Sequence, residues 1–146
     1  MVLEPPTDQN RAPEEIQSID ELLKEGWERV EAMAITKGAF GPLIPPAEAY
    51  FKRAVQLGIS DPVKEHRAQY GLGTLLAAKW QKEAAIPHLQ RAVQLQPHNY
   101  RSRLVLGKLY EDMGNHAHAS SEFLAAARIA NPVFCLYRAL INYCKV

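Results

Sequence analysis

RAVQL occupies residues 53–57 and recurs at residues 91–95, 38 positions later. A recurring pentapeptide identifies a repeated structural unit only if its surroundings repeat as well, and here they do. In register, Ala47 matches Ala85, Phe51 matches Leu89 and Ala54 matches Ala92. Ala119, Phe123 and Ala126 form a more degenerate third copy, 34 residues after Ala85, Leu89 and Ala92. Upstream of the second and third copies stand YGLGTLL (70–76) and LVLGKLY (104–110), again 34 apart. Small and large apolar residues alternate at three- and four-residue steps, which is the spacing of a helix face.

Each unit reads as two antiparallel helices. The pairs Leu72–Gly73 and Leu106–Gly107 place glycine inside the first helix, where it costs roughly 1 kcal/mol against alanine. Close approach of the second helix is the expected compensation, with Ala85, Ala92, Ala119 and Ala126 as the facing surface. Asp61–Pro62 and Asn131–Pro132 each set a good N-cap before a proline at the first helical position. Asn99 is expected to cap the helix starting at Tyr100, and Gly114–Asn115 to break the chain between the helices of the third unit. Pro87 falls early in its helix and is expected to bend it slightly without breaking it.

These residues resemble the tetratricopeptide repeat family, whose 34-residue helix–turn–helix unit carries a Leu-Gly pair, a later Ala-x3-Phe and a closing proline. Residues 66–99 look like one unit through Leu72, Gly73, Leu76, Ala85, Leu89, Ala92 and Pro97. Residues 100–132 look like another through Leu106, Gly107, Tyr110, Ala119, Phe123 and Ala126, with the closing proline displaced to Pro132. Gln69 and Arg103 replace the family's early tryptophan. The resemblance implies an all-α, right-handed α-solenoid of about three antiparallel helix pairs plus a C-terminal capping helix.

The first unit is divergent. Ile19, Leu22, Leu23, Trp27, Val30, Met33 and Ala34 fit an amphipathic first helix, and Ser18 with Glu21 forms a capping-box signature. No Leu-Gly pair is present there, and Val30–Glu31 is the nearest equivalent. The second helix is expected from Pro46 to about Gly58. VFCLYRALINYC (133–144) makes a further amphipathic helix, read as the cap or as the first helix of a fourth unit. The organisation expected is therefore a flexible polar leader (1–17), a divergent repeat (18–61), two repeats (62–99 and 100–131) and a capping helix (132–146).

Composition excludes little and suggests less. A formal net charge of +1 and a pI near 7.8 give no reason to propose nucleic acid or an anionic membrane. No apolar run reaches the roughly 18 residues of a membrane span, and the first residues do not resemble a secretory signal. Cys135 and Cys144, nine apart on the last helix, are read as lying on roughly one side about 13 Å apart, too far for a mutual disulfide. A reducing, intracellular and cytoplasmic location is the expectation.

No active site is expected. The sequence has no glycine-rich phosphate loop, no His-Glu-x-x-His and no paired Cys-x-x-Cys. His116 and His118, two apart on a helix, point away from each other and are read as exposed. His66, His88 and His98 are read as structural, and Cys135 as a core filler. Neither a metal nor a cofactor is expected, and the chain is not expected to be an enzyme.

The working surface is expected to be the concave groove lined by the first helices. Helical steps from Gly73 give Arg67, Tyr70, Thr74, Ala77 and Ala78. The next unit gives Arg101, Leu104, Val105, Lys108, Glu111 and Asp112, and the last helix Arg138 and Asn142. Arg67, Arg101, Lys108 and Arg138 would form a basic lane for carboxylates, with Tyr70 and Leu104 receiving apolar side chains. The asparagine clamp that some family members use for chaperone tails has no counterpart, because Gly71, Thr74 and Val105 stand in that neighbourhood. Another protein or peptide is the expected partner, bound by an adaptor or scaffold. An assembly or secretion chaperone, or a module that self-associates, stands as the alternative.

Overall fold

The computed structural model describes residues 12–35, 44–130 and 133–146. Among the described residues one 3-10 turn, Pro13–Glu15, precedes seven helices: α1 Ile19–Ile35, α2 Ile44–Gln56, α3 Pro62–Ala78, α4 Lys82–Leu95, α5 Tyr100–Asp112, α6 His116–Ala130 and α7 Val133–Tyr143. The described residues contain no strand. Helices pair as α1 with α2, α3 with α4 and α5 with α6, and α7 packs on α6. Contacts of α2 with α3 and of α4 with α5 join successive pairs, while α1, α3 and α5 touch in sequence along one side. The result is an all-α solenoid of three helix pairs and a terminal helix.

Local chemistry sets the boundaries. Asp61 Oδ1 accepts from the Val63 amide at 2.8 Å and Asn99 Oδ1 from the Arg101 amide at 3.1 Å, so both are working N-caps. In the expected capping box, Ser18 Oγ accepts from the Glu21 amide at 3.5 Å. Pro87 sits inside α4 without ending it. The expected cap at Asn131–Pro132 lies outside the described residues, as do the residues joining α1 to α2.

The repeat glycines admit large side chains, which changes the expected role of the alanines. A Cβ on Gly73 would lie 2.6 Å from Leu89 Cγ, and one on Gly107 would lie 3.1 Å from the Phe123 ring. Each glycine is therefore a socket for the large residue of the Ala-x3-Leu/Phe motif. Ala85, Ala92, Ala119 and Ala126 are fully buried beside them. The first unit has its own socket, at Gly26 instead of Val30–Glu31: a Cβ there would meet the Phe51 ring at 2.9 Å. From α3, a Cβ on Gly71 would meet the same ring at 2.7 Å. Phe51 thus fills two sockets, from α1 and α3, and locks the first two units together.

Two sequence expectations shift at the ends. Residues 12–17 of the expected leader are not free-running, because Ile16 is buried in the first core cluster with Leu22, Leu23, Phe51 and Leu72. Residues 1–11 lie outside the described residues. Cys135 is buried and Cys144 exposed, both as free thiols. They point to opposite sides, since nine residues at roughly 100° each make about two and a half turns. Among the described residues, no helix is long and apolar enough to cross a membrane.

Candidate partner-binding groove

The first helices of the second and third units, together with α7, enclose an open cleft of about 590 Å³. Helix α3 contributes Thr74, Ala77 and Ala78, and Trp80 and Lys82 follow at its mouth. The opposing surface comes from Leu104, Val105, Lys108, Leu109 and Asp112 of α5, with Phe123 behind it. Phe134 and Arg138 of α7 close the far side. The lining is predominantly apolar, because small residues on α3 leave space in front of the branched residues of α5.

Of the partner-contact residues expected from sequence, Thr74, Leu104, Lys108 and Arg138 share this cleft, as do Ala77, Ala78, Val105 and Asp112 of the groove stripe; Arg67, Tyr70 and Arg101 do not. Arg67 lies in a separate depression with Asp20, Glu28 and Glu31, on the α1 side. Arg101 lies at the α4–α5 turn beside His98 and Tyr100. Tyr70 is half-buried, stacked between Trp27 at 6.0 Å and His66 at 5.9 Å, and this burial pushes its phenol pKa up. It packs within the frame of the first units. Asn142 is not a groove residue either: it is fully buried and hydrogen-bonds Glu111 Oε1 at 3.0 Å and His116 Nδ1 at 2.7 Å.

Two of the four cations of the basic lane, Arg138 and Lys108, are paired with carboxylates. Arg138 donates to Glu111 Oε1 at 2.9 Å and rests over the Phe134 ring at 5.4 Å. Lys108 stands 3.3 Å from Asp112 Oδ1, one turn away on its own helix. Lys82 differs, for its ammonium donates to the Asp112 backbone carbonyl at 2.9 Å and meets no carboxylate among the described residues. It lies 5.0 Å from the Trp80 ring centroid. Thr74 turns its hydroxyl back to the Tyr70 carbonyl at 2.7 Å, presenting its methyl side to the cleft.

Trp80 and Phe134, 76% and 55% exposed, are the large aromatics at the cleft that helical stepping from Gly73 did not find. Trp80 sits in the turn beyond α3, where helical periodicity gives no information. Its place in the 34-residue register, opposite Gly114, was the available signal.

The histidines serve the frame. His66 Nε2 lies 3.0 Å from Ser102 Oγ, and His88 Nδ1 2.7 Å from Gln69 Oε1. Burial lowers the pKa of both, with Lys52 adding to the effect at His88. His118 Nδ1 turns to Asn115 at 2.9 Å, away from His116. No group of metal-ligating side chains occurs among the described residues.

Comparison with known proteins agrees with this architecture. The tetratricopeptide repeat family matches at residues 66–99 and 100–132. No curated protein sequence matches. Among solved structures, MamA is 25% identical with a TM-score of 0.73, over 87% of this chain and 67% of that one. YrrB, described as a tetratricopeptide repeat protein with an unusual peptide-binding site, is 23% identical with a TM-score of 0.60, over 90% of this chain and 73% of its own. The C-terminal repeat domain of a putative FK506-binding protein from Plasmodium falciparum is 18% identical with a TM-score of 0.71, covering 93% of each chain. With two tandem matches in register and the helix pairs stacked as the repeat demands, residues 66–132 of this chain are identified as two tetratricopeptide repeats.

Proposed function

We propose that this protein–protein interaction module works as an intracellular adaptor or scaffold by holding a partner's peptide segment in the cleft between α3, α5 and α7. The observation that carries this reading is the composition of the cleft: an open, apolar surface of about 590 Å³ whose polar side chains are mostly engaged in ion pairs or in hydrogen bonds to backbone carbonyls of the chain. Such a surface gains from covering its apolar atoms and leaves few polar groups to desolvate. Thr74, Leu104, Lys108 and Arg138 are the contact residues from the sequence-derived set. Arg67, Tyr70 and Arg101 flank the contact region or support it. The cleft is drier than the arginine lane implied, which is the property that the chaperone alternative requires.

The test is capture from lysate of the source cell by wild type, Leu104→Glu and Arg67→Glu/Arg101→Glu in parallel. The reading expects a partner lost by Leu104→Glu and retained by the double arginine variant. A partner retained by Leu104→Glu moves the interface elsewhere.

One observation favours self-association as a second reading. Helix α7 leaves Val133, Leu140 and Tyr143 81%, 65% and 73% exposed, unlike the polar outer face expected of a solenoid cap. Leu140 stands 33 residues after Gly107, where a glycine socket would admit another repeat helix. A second copy of the chain is the occupant of this reading. Light scattering would then give a dimer mass for wild type and a monomer mass for Leu140→Glu.

A further inference from the structure

Helices α3 and α5 end in the same way. Trp80 N–H donates to the Ala77 carbonyl at 3.0 Å and Gln81 N–H to the Leu76 carbonyl at 2.9 Å. In α5, Gly114 N–H donates to the Glu111 carbonyl at 2.9 Å and Asn115 N–H to the Tyr110 carbonyl at 2.8 Å. This double closure needs a left-handed residue just beyond the cap. Gly114 supplies it at φ +75°, and Trp80, 34 residues earlier, at φ +62°. Glycine adopts that conformation freely, whereas a Cβ disfavours it. Trp80 is the one non-glycine residue with positive φ among those described.

Packing does not compensate for the strain. The indole is 76% exposed, with the Lys82 ammonium 5.0 Å from its ring centroid. A bulky apolar side chain thus occupies a position where glycine would serve the fold better, at the mouth of the cleft. Strain kept without internal compensation is a mark of functional constraint.

We propose that Trp80 is a partner-contacting residue, and that the cleft takes a peptide segment in which an apolar or aromatic side chain adjoins an aspartate or glutamate. This rests on the reading of the cleft as the recognition surface. Its chemistry follows from the local charges. Asp112 matches Lys108 and Glu111 matches Arg138, which leaves Lys82 as the cleft cation unmatched by a carboxylate among the described residues. A partner carboxylate pairs with Lys82 while its apolar neighbour covers the indole and reaches toward Phe134. Covering the ring also desolvates the Lys82–Trp80 pair, which strengthens a cation–π contact. Tryptophan is among the residues whose truncation most weakens protein interfaces.

The test is selection of a phage-displayed random dodecapeptide library on the full chain. Binding of selected synthetic peptides is then measured by anisotropy on wild type, Trp80→Gly, Lys82→Glu and Leu104→Glu. The proposal expects peptides that pair an acid with an aromatic or leucine. Trp80→Gly should weaken them by about tenfold or more while its thermal midpoint rises by a few degrees, because glycine relieves the left-handed strain. A purely structural tryptophan would lower that midpoint, which overturns the proposal. Lys82→Glu should lose the acidic peptides. Peptides lost only by Leu104→Glu overturn the role of Trp80 and leave the cleft reading standing. Peptides bound equally by every variant overturn both. Failure to enrich any peptide, or enrichment without acids, overturns the proposed occupant.

Discussion

Gly71→Ala tests the packing logic at its tightest point. In an unconstrained helix the change stabilises by roughly 1 kcal/mol, because alanine is the better helix former. Here the new methyl would lie 2.7, 2.8 and 3.0 Å from three carbons of the Phe51 ring. The ring is fully buried, and the Gly26 side offers no retreat, since a Cβ there would already be within 2.9 Å. Trp27 closes a third side by edge-on stacking at 5.4 Å. Overpacking of this kind costs about 1–3 kcal/mol, and a buried ring already held tightly by Gly26, Gly71 and Trp27 puts the cost near the top of that range. The net expectation is a loss of about 2 kcal/mol. Urea unfolding followed by circular dichroism measures it, with Gly71→Ala/Phe51→Leu as the relieving double variant. A single variant as stable as wild type, or a double variant less stable than the sum of its parts, would refute the socket argument.

Two further predictions concern titration and thiols. Burial holds the pKa of His66 and His88 below the ordinary 6.5, so below that pH the unfolded chain takes up protons first. The contribution of these histidines is complete above pH 6.5 and is lost as pH falls through their folded values, so urea midpoints should drop between pH 7.5 and 5.5. His66→Gln/His88→Gln should flatten that slope, and an unchanged slope would contradict the assignment. Cys135 is buried, which also pushes its thiol pKa up, while Cys144 is exposed. Iodoacetamide should therefore add one label to the native chain and two after unfolding, as read by mass spectrometry; two labels on the native chain would place Cys135 at the surface.

The second and third units were legible because their signals are local and agree with each other. Asp61 and Asn99 cap, Gly114 closes, and the Gly–Leu and Gly–Phe contacts recur at fixed spacing. The Gly26 socket was hidden because the longer connection between α1 and α2 moves it out of the 34-residue register. Ile16 was hidden because one apolar residue amid polar neighbours carries no period. Helical stepping found the cleft side of α3 and α5, but it could not tell that Glu111 captures Arg138 or that Asn142 turns inward. Ion-pair partners 27 residues apart are a property of the packed solenoid, not of one helix face. Trp80 lay in a turn, and only comparison with Gly114 at the equivalent position reveals how unusual it is.

Photocrosslinking in the source cell tests the central claim most directly. A benzophenone amino acid at position 104 would face the cleft, and the same probe at Gln94, exposed on α4, would face away from it. The account predicts that a partner protein is captured from position 104 and not from position 94. Capture from position 94 alone would contradict it and put recognition on the opposite face of the solenoid.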